Sequence, residues 1–158
     1  MPTYHCTSPA GLLDAGKKSA VASEITRIHN AVTGAASFFA QVIFTEIAKG
    51  NHFMGGAPLA SDQIFAHGFI RAGRSVPDRE RLVTEMATAL AGITGLPKKF
   101  VWVYVTEIPA RQMAEYGHIL PEPGDEKAGP TSRRRSGPYA VSWQIARKFI
   151  AGKNTAPL

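Results

Sequence analysis

The sequence predicts an α/β fold of two consecutive β-α-β units, with strands paired in parallel in one sheet and two helices on one face. Three observations carry the prediction. Two stretches repeat apolar residues at helical spacing. Each lies between apolar runs rich in β-branched and aromatic residues. Glycine and proline fall where each run should stop.

Pro2–Thr7 is expected to be a strand, closed by Ser8-Pro9-Ala10-Gly11. A helix from about Asp14 follows, with Val21, Ile25, Ile28 and Val32 on one face and Thr33-Gly34 as its stop. Ala40–Ile47 is a second strand, and Lys49 to Gly56 is turn-rich. The order then repeats. Ile64–Ile70 is a strand and Ala72–Pro77 a loop. Asp78 is placed to cap a helix with Leu82, Met86, Ala89 or Leu90, and Ile93 on its apolar face. Gly95 and Pro97 end that helix, and Phe100–Thr106 reads as the strongest strand of the chain. Right-handed crossovers would make each pair of strands parallel. Side chains hardly match between the halves, so the repeat is architectural. Beyond Pro109 the periodicity fades to a short helical turn over 109–116, a linker at Pro121–Gly124, and a short helix suggested by Trp143, Ala146 and Ile150. The predicted organisation is one domain over 1–124, with halves at about 2–60 and 61–124, and a basic extension over 125–158.

A chain of 158 residues, 44% hydrophobic and 19% charged, suits one globular domain with a real core. No run approaches the ~20 apolar residues of a membrane span, so no membrane partner is expected. The amino-terminal segment has no basic start leading into an apolar run, and the one cysteine, Cys6, suits a buried thiol in a reducing cytoplasm. The net charge of +6 invites a nucleic-acid reading. Seven basic and three acidic residues lie in 117–158, however, leaving +2 for residues 1–116. Arg133-Arg134-Arg135 sits between Gly-Pro pairs, as a solvated loop would. No zinc-finger spacing, aromatic-rich basic strand or helix-turn-helix signal is present, so nucleic acid is not the expected partner. Five scattered histidines lack HxH or HExxH spacing, and GxGxxG, P-loop and GxSxG motifs are missing, so neither a metal nor a cofactor is expected.

Some residues could carry chemistry. Removal of Met1 is expected before a proline, and it would leave Pro2 as a secondary amine. An amino-terminal amine titrates near 7.7–8.0 and suits general acid–base work. Arg71 and Arg74 close a strand and enter a helix, where two guanidiniums could clamp one carboxylate. His29 sits late in the first helix, Tyr104 in the strongest strand, and Glu115 in a polar segment. Taken singly, each has a plain structural explanation: an edge-strand proline, solvated arginines, a packing histidine, a tethered tyrosine, a surface glutamate.

Together they match a known pattern. Ala40-Gln41-Val42, Gly50 to Gly56 and Ile64-Phe65-Ala66-His67-Gly68 run in order into Arg71-Ala72-Gly73-Arg74-Ser75. Val101-Trp102-Val103-Tyr104, Glu107 to Gly117 and Leu120-Pro121-Glu122-Pro123-Gly124 follow. Over residues 2 to about 124 the chain resembles the cis-3-chloroacrylic acid dehalogenase subgroup of the tautomerase superfamily. The segment 35–39 departs from that pattern, and residues from about 125 onward do not align with it.

The resemblance implies a tautomerase fold assembled as a homotrimer, and a catalytic set of Pro2, His29, Arg71, Arg74, Tyr104 and Glu115. It implies a small carboxylate as substrate. In one chemistry the arginines and His29 bind the carboxylate, Glu115 with Tyr104 activates water, and protonated Pro2 gives a proton to C2. A 3-halo substrate would then collapse to malonate semialdehyde. In the other, neutral Pro2 shuttles a proton between oxygen and carbon of a 2-oxo acid enol. The rival expectation is a non-catalytic binding protein on the same fold; a minor one makes the basic tail a polyanion contact.

Overall fold

The structure, a computed structural model, describes residues 2–35, 40–115, 118–120 and 122. The expected segment at 36–39, the arginine run and the helix around Trp143–Ile150 lie outside them.

The chain divides into two compact units. The larger comprises Met1–Ile70 and Arg74–Glu107. It opens with β1 (Thr3–Pro9) and α1 (Ala15–Thr33). Asp14 caps α1 by accepting from the Lys17 amide at 2.7 Å, and Gly34 ends it at φ 70°, a left-handed turn that disfavours a Cβ. β2 (Gln41–Ile47) returns to pair with β1 in parallel, Tyr4 opposite Val42 and Cys6 opposite Phe44. The first β-α-β unit is thus formed as expected.

Residues 49–58 hold more order than turn residues alone suggest. β3 (Phe53–Met54) and β4 (Ala57–Pro58) make a small antiparallel hairpin, with Gly55 and Gly56 at positive φ between them. Two-residue strands have no periodicity to read.

β5 (Ile64–Arg71), α2 (Val76–Thr94) and β6 (Val101–Ile108) form the second half. The helix starts earlier than expected, and Ser75 is its cap, not Asp78. The Ser75 hydroxyl accepts from the Asp78 amide at 3.2 Å and donates to Asp78 Oδ2 at 2.7 Å. Pro77 fits inside the first turn, where no amide hydrogen is needed. Gly95 ends α2 at φ 78°.

The sheet order is β2-β1-β5-β6. The halves meet through β1 and β5, which run antiparallel with Tyr4 opposite Gly68 and Cys6 opposite Ala66. Residues at alternate positions therefore share a face. Tyr4, Cys6, Ile64, Ala66, Ile70, Val101 and Val103 are buried in one cluster with Val21, Ile25 and Ile28 of α1 and Leu82, Met86 and Leu90 of α2. Both helices cover that face. Burial pushes the Cys6 thiol up to about 12, consistent with the inert thiol expected there.

The smaller unit gathers Arg71–Gly73 and residues from Ile108 onward. The Ala72 amide donates to Ile108 O at 2.9 Å. One 3-10 turn (Ala110–Gln112) occupies part of the expected helical segment, and β7 (Ala114–Glu115) then pairs with β8 (His118–Ile119), Glu115 opposite His118.

Candidate active site

Pro2 is buried at the start of β1, and its carbonyl accepts from the Gln41 amide at 3.0 Å. Tyr4, two residues on, points to the same face and is fully buried. Its hydroxyl lies 2.8 Å from His29 Nδ1. Their rings meet edge to face, with centroids 5.8 Å apart at 72°. Gly68 makes room for this: a Cβ there would sit 2.3 Å from Tyr4 Cε1. Desolvation raises the Tyr4 hydroxyl well above the usual tyrosine range, so the phenol keeps its proton.

His29 is buried near the end of α1, at 4% exposure. Arg74 approaches the same helix end. Its Nη1 donates to the carbonyl of Thr33, the last residue of α1, at 3.0 Å. A cation is favoured there because the last carbonyls of a helix carry partial negative charge. Burial, and then the Arg74 charge, lower the His29 pKa to about 4. The imidazole is therefore neutral at neutral pH, a hydrogen-bonding group and not a second cation. The phenol and the neutral imidazole share one hydrogen bond at Nδ1.

The Arg74 backbone is itself held. Its amide donates to Glu107 Oε1 at 3.0 Å, and Glu107 also pairs with Arg79 on α2. One carboxylate on β6 thus ties down both the loop and the first turns of the helix. Neither Tyr4 nor Glu107 was singled out from sequence. Tyr4 carried a signal, being two residues from Pro2 on the same strand face. Glu107 carried none, because its partners come from distant elements.

Tyr104 is placed differently. On β6 the buried residues are Val101 and Val103; Trp102 and Tyr104 point to the opposite face, which neither α1 nor α2 covers. Tyr104 is 52% exposed, packs edge to face on Phe65 at 5.0 Å, and stacks with Trp102 at 6.4 Å. Within one chain, the structure brings Pro2, His29 and Arg74 to the helix-covered side of the larger unit and holds Tyr104 on the other. Arg71, the last residue of β5, and Glu115, in β7, are half-buried and belong to the smaller unit. Among the described residues, no group of His, Cys, Asp and Glu side chains could hold a metal ion, and no helix is long and apolar enough to cross a membrane.

The α/β fold of the larger unit is the one that the comparisons share. Residues 1–133 match the Tautomerase_3 family, described as "Putative oxalocrotonate tautomerase enzyme". Among solved structures, N1, described as a member of the cis-3-chloroacrylic acid dehalogenase family, is 32% identical with a TM-score of 0.80, over 92% of this chain and 99% of that one. Native Ps01740 is 30% identical with a TM-score of 0.68, over 72% of this chain and 99% of that one. A fused 4-OT, described as an asymmetric trimer, shares the fold at 18% identity, with a TM-score of 0.70 over 81% of this chain and 99% of that one. No curated protein matches. The chain belongs to the tautomerase superfamily, in its cis-3-chloroacrylic acid dehalogenase-like subgroup.

Proposed function

We propose that the protein is an enzyme that uses Pro2 for proton transfer on small unsaturated or 2-oxo carboxylates, with tautomerisation as its leading chemistry. The observation that carries this is the buried, neutral His29 fixed by Tyr4 beside the Arg74 guanidinium. Arg74, with Arg71, supplies the positive charge for a carboxylate. His29 adds an uncharged hydrogen-bonding group. With Met1 removed, Pro2 would present a secondary amine, which is a base in its neutral form. Its nitrogen takes the enol proton from oxygen and returns it to carbon, giving the 2-oxo acid.

The same set supports water addition. Glu115 with Tyr104 would deprotonate water for attack at C3 while protonated Pro2 supplies the proton at C2. A 3-halo adduct would then lose hydrogen halide to give malonate semialdehyde. A raised Pro2 pKa is what that route needs, and a nearby carboxylate is what raises it.

Tyr104 enters this reading through assembly. It faces away from His29 in its own chain, and the face it stands on is aromatic and half-exposed. In a homotrimer, the Tyr104 of one copy would meet the Pro2 side of the next. The test begins with intact mass, which should lack Met1. Pro2→Ala should then lose ~10²-fold or more in turnover of phenylpyruvate enol and of cis-3-chloroacrylate. Mixing Pro2→Ala with Tyr104→Phe chains should restore part of the activity that each lacks. Undiminished turnover by Pro2→Ala overturns the reading in favour of a binding protein.

A further inference from the structure

We infer that Glu107 is a positioning residue for the carboxylate-binding arginine: it fixes the Arg74 backbone, and so fixes where the guanidinium meets the substrate. The inference rests on the proposal that Arg74 takes the substrate carboxylate. An arginine side chain is long and loses much rotamer freedom when it is fixed. It serves as a preformed clamp only if neighbouring groups hold it in place beforehand. The far end of Arg74 is held by Thr33, whose carbonyl accepts from Nη1 at 3.0 Å. That bond takes a single guanidinium N–H, so others of the fork can still meet a carboxylate.

The backbone end needs its own anchor. Gly73, immediately before Arg74, sits at φ 104°, in a region that glycine enters readily and other residues do not. A glycine joint by itself leaves the direction of the next residue poorly fixed. Arg74 also precedes Ser75, the cap of α2, and so lies outside the hydrogen-bonded turns of the helix. Glu107 supplies the anchor. Its Oε1 accepts from the Arg74 amide at 3.0 Å. Hydrogen bonds to a carboxylate are among the strong ones, and the amino end of α2 favours a negative group. Oε2 pairs with Arg79, but the Arg79 side chain is 36% exposed, and an ion pair with that access to water is worth little. The amide bond therefore carries the positioning. Its effect extends to His29, since the Arg74 charge is the second cause, after burial, of the low His29 pKa. An Arg74 that leaves its seat loosens the grip on the carboxylate and relaxes its hold on the neutral imidazole together.

The test is run in Arg79→Met protein, so that residue 107 changes without stranding a cation. Adding Glu107→Gln keeps an amide-accepting oxygen; adding Glu107→Met keeps similar bulk without one. The probe is phenylacetate, which has neither an alkene nor a 2-oxo group to react. Arg79→Met, alone or with Glu107→Gln, should bind it as the unaltered protein does. Glu107→Met should weaken binding ~10-fold, the scale of one hydrogen bond to a charged group. It should raise KM for phenylpyruvate enol far more than it lowers kcat, and the His29 titration followed by NMR should move up from about 4. Adding Arg74→Met should then erase the effect of residue 107 on both acid affinity and the His29 titration, because a residue that acts through Arg74 has nothing left to act through. Equal acid affinity for the Glu107→Gln and Glu107→Met variants overturns the inference. So does a Glu107→Met effect that persists undiminished without Arg74. Weakened binding on Arg79→Met alone also overturns it, and that arm needs no change at Glu107. Failure of the proposed function would look different: Arg74→Met alone would leave phenylacetate affinity unchanged, while the His29 titration would still report the hold of Glu107 on Arg74.

Discussion

The two faces of one sheet are built on different rules. On the helix-covered face, aliphatic side chains interdigitate and the polar pair at its edge is matched, Tyr4 to His29. On the face that neither α1 nor α2 covers, Phe53, Trp102 and Tyr104 are exposed, and two buried polar atoms lack partners among the described residues. The first face is complete within one chain and fixes the protonation state of its histidine. The second is unfinished among the described residues. An interior finishes its own hydrogen bonds, so an unfinished surface marks where something else is meant to bind.

Changes to the finished face should have the largest effects. Gly68→Ala places a Cβ against the Tyr4 ring, which is fully buried and has nowhere to go. We expect a loss of about 3 kcal/mol or more in urea unfolding, with activity falling alongside because Tyr4 leaves His29. Unchanged stability would mean that the ring turns aside freely.

Acid should reach the same pair. His29 takes a proton near 6.5 when unfolded but only near 4 when folded. Between those values the unfolded state binds more protons, so stability falls as pH drops from 6.5 towards 4. The loss from this group is on the order of 3 kcal/mol at about 1.4 kcal/mol per pH unit. Unfolding midpoints across that window check it, and His29→Asn should flatten the slope.

Tyr4→Phe keeps the packing and removes the hydroxyl, leaving His29 Nδ1 buried without its partner. The expected cost is about 1–3 kcal/mol. The ring is also released, so turnover should fall more than KM rises. Equal shifts in both would reduce Tyr4 to packing. The smallest effect is the control: Gly92→Ala in α2, with nothing within 4 Å of the new Cβ, should stabilise by about 0.5–1 kcal/mol.

Local signals in the sequence carried much of the architecture. The Val21-Ile25-Ile28 and Leu82-Met86 spacings and the stops at Gly34 and Gly95 are short-range chemistry, and all are found. Ser75 was missed as a cap because Asp78, three residues on, has equal capping power and Pro77 lies between them. The β3–β4 hairpin was missed because its strands are two residues long. Of the six candidate residues, the types were legible and the placement was not. His29 and Arg74 come together because α1 ends beside the loop before α2, where Arg74 reaches the carbonyl of Thr33.

The sequence by itself determined the elements and the chemical groups they carry, since helix period, capping and turn formation act over a few residues. Only the tertiary structure decided that β1 meets β5 antiparallel, with Gly68 under Tyr4, and hence that His29 is neutral. It alone decided that Tyr104 faces away from His29. Strand pairing and desolvation are long-range effects, set by which distant segments come to share an interior, and no local spacing encodes that choice.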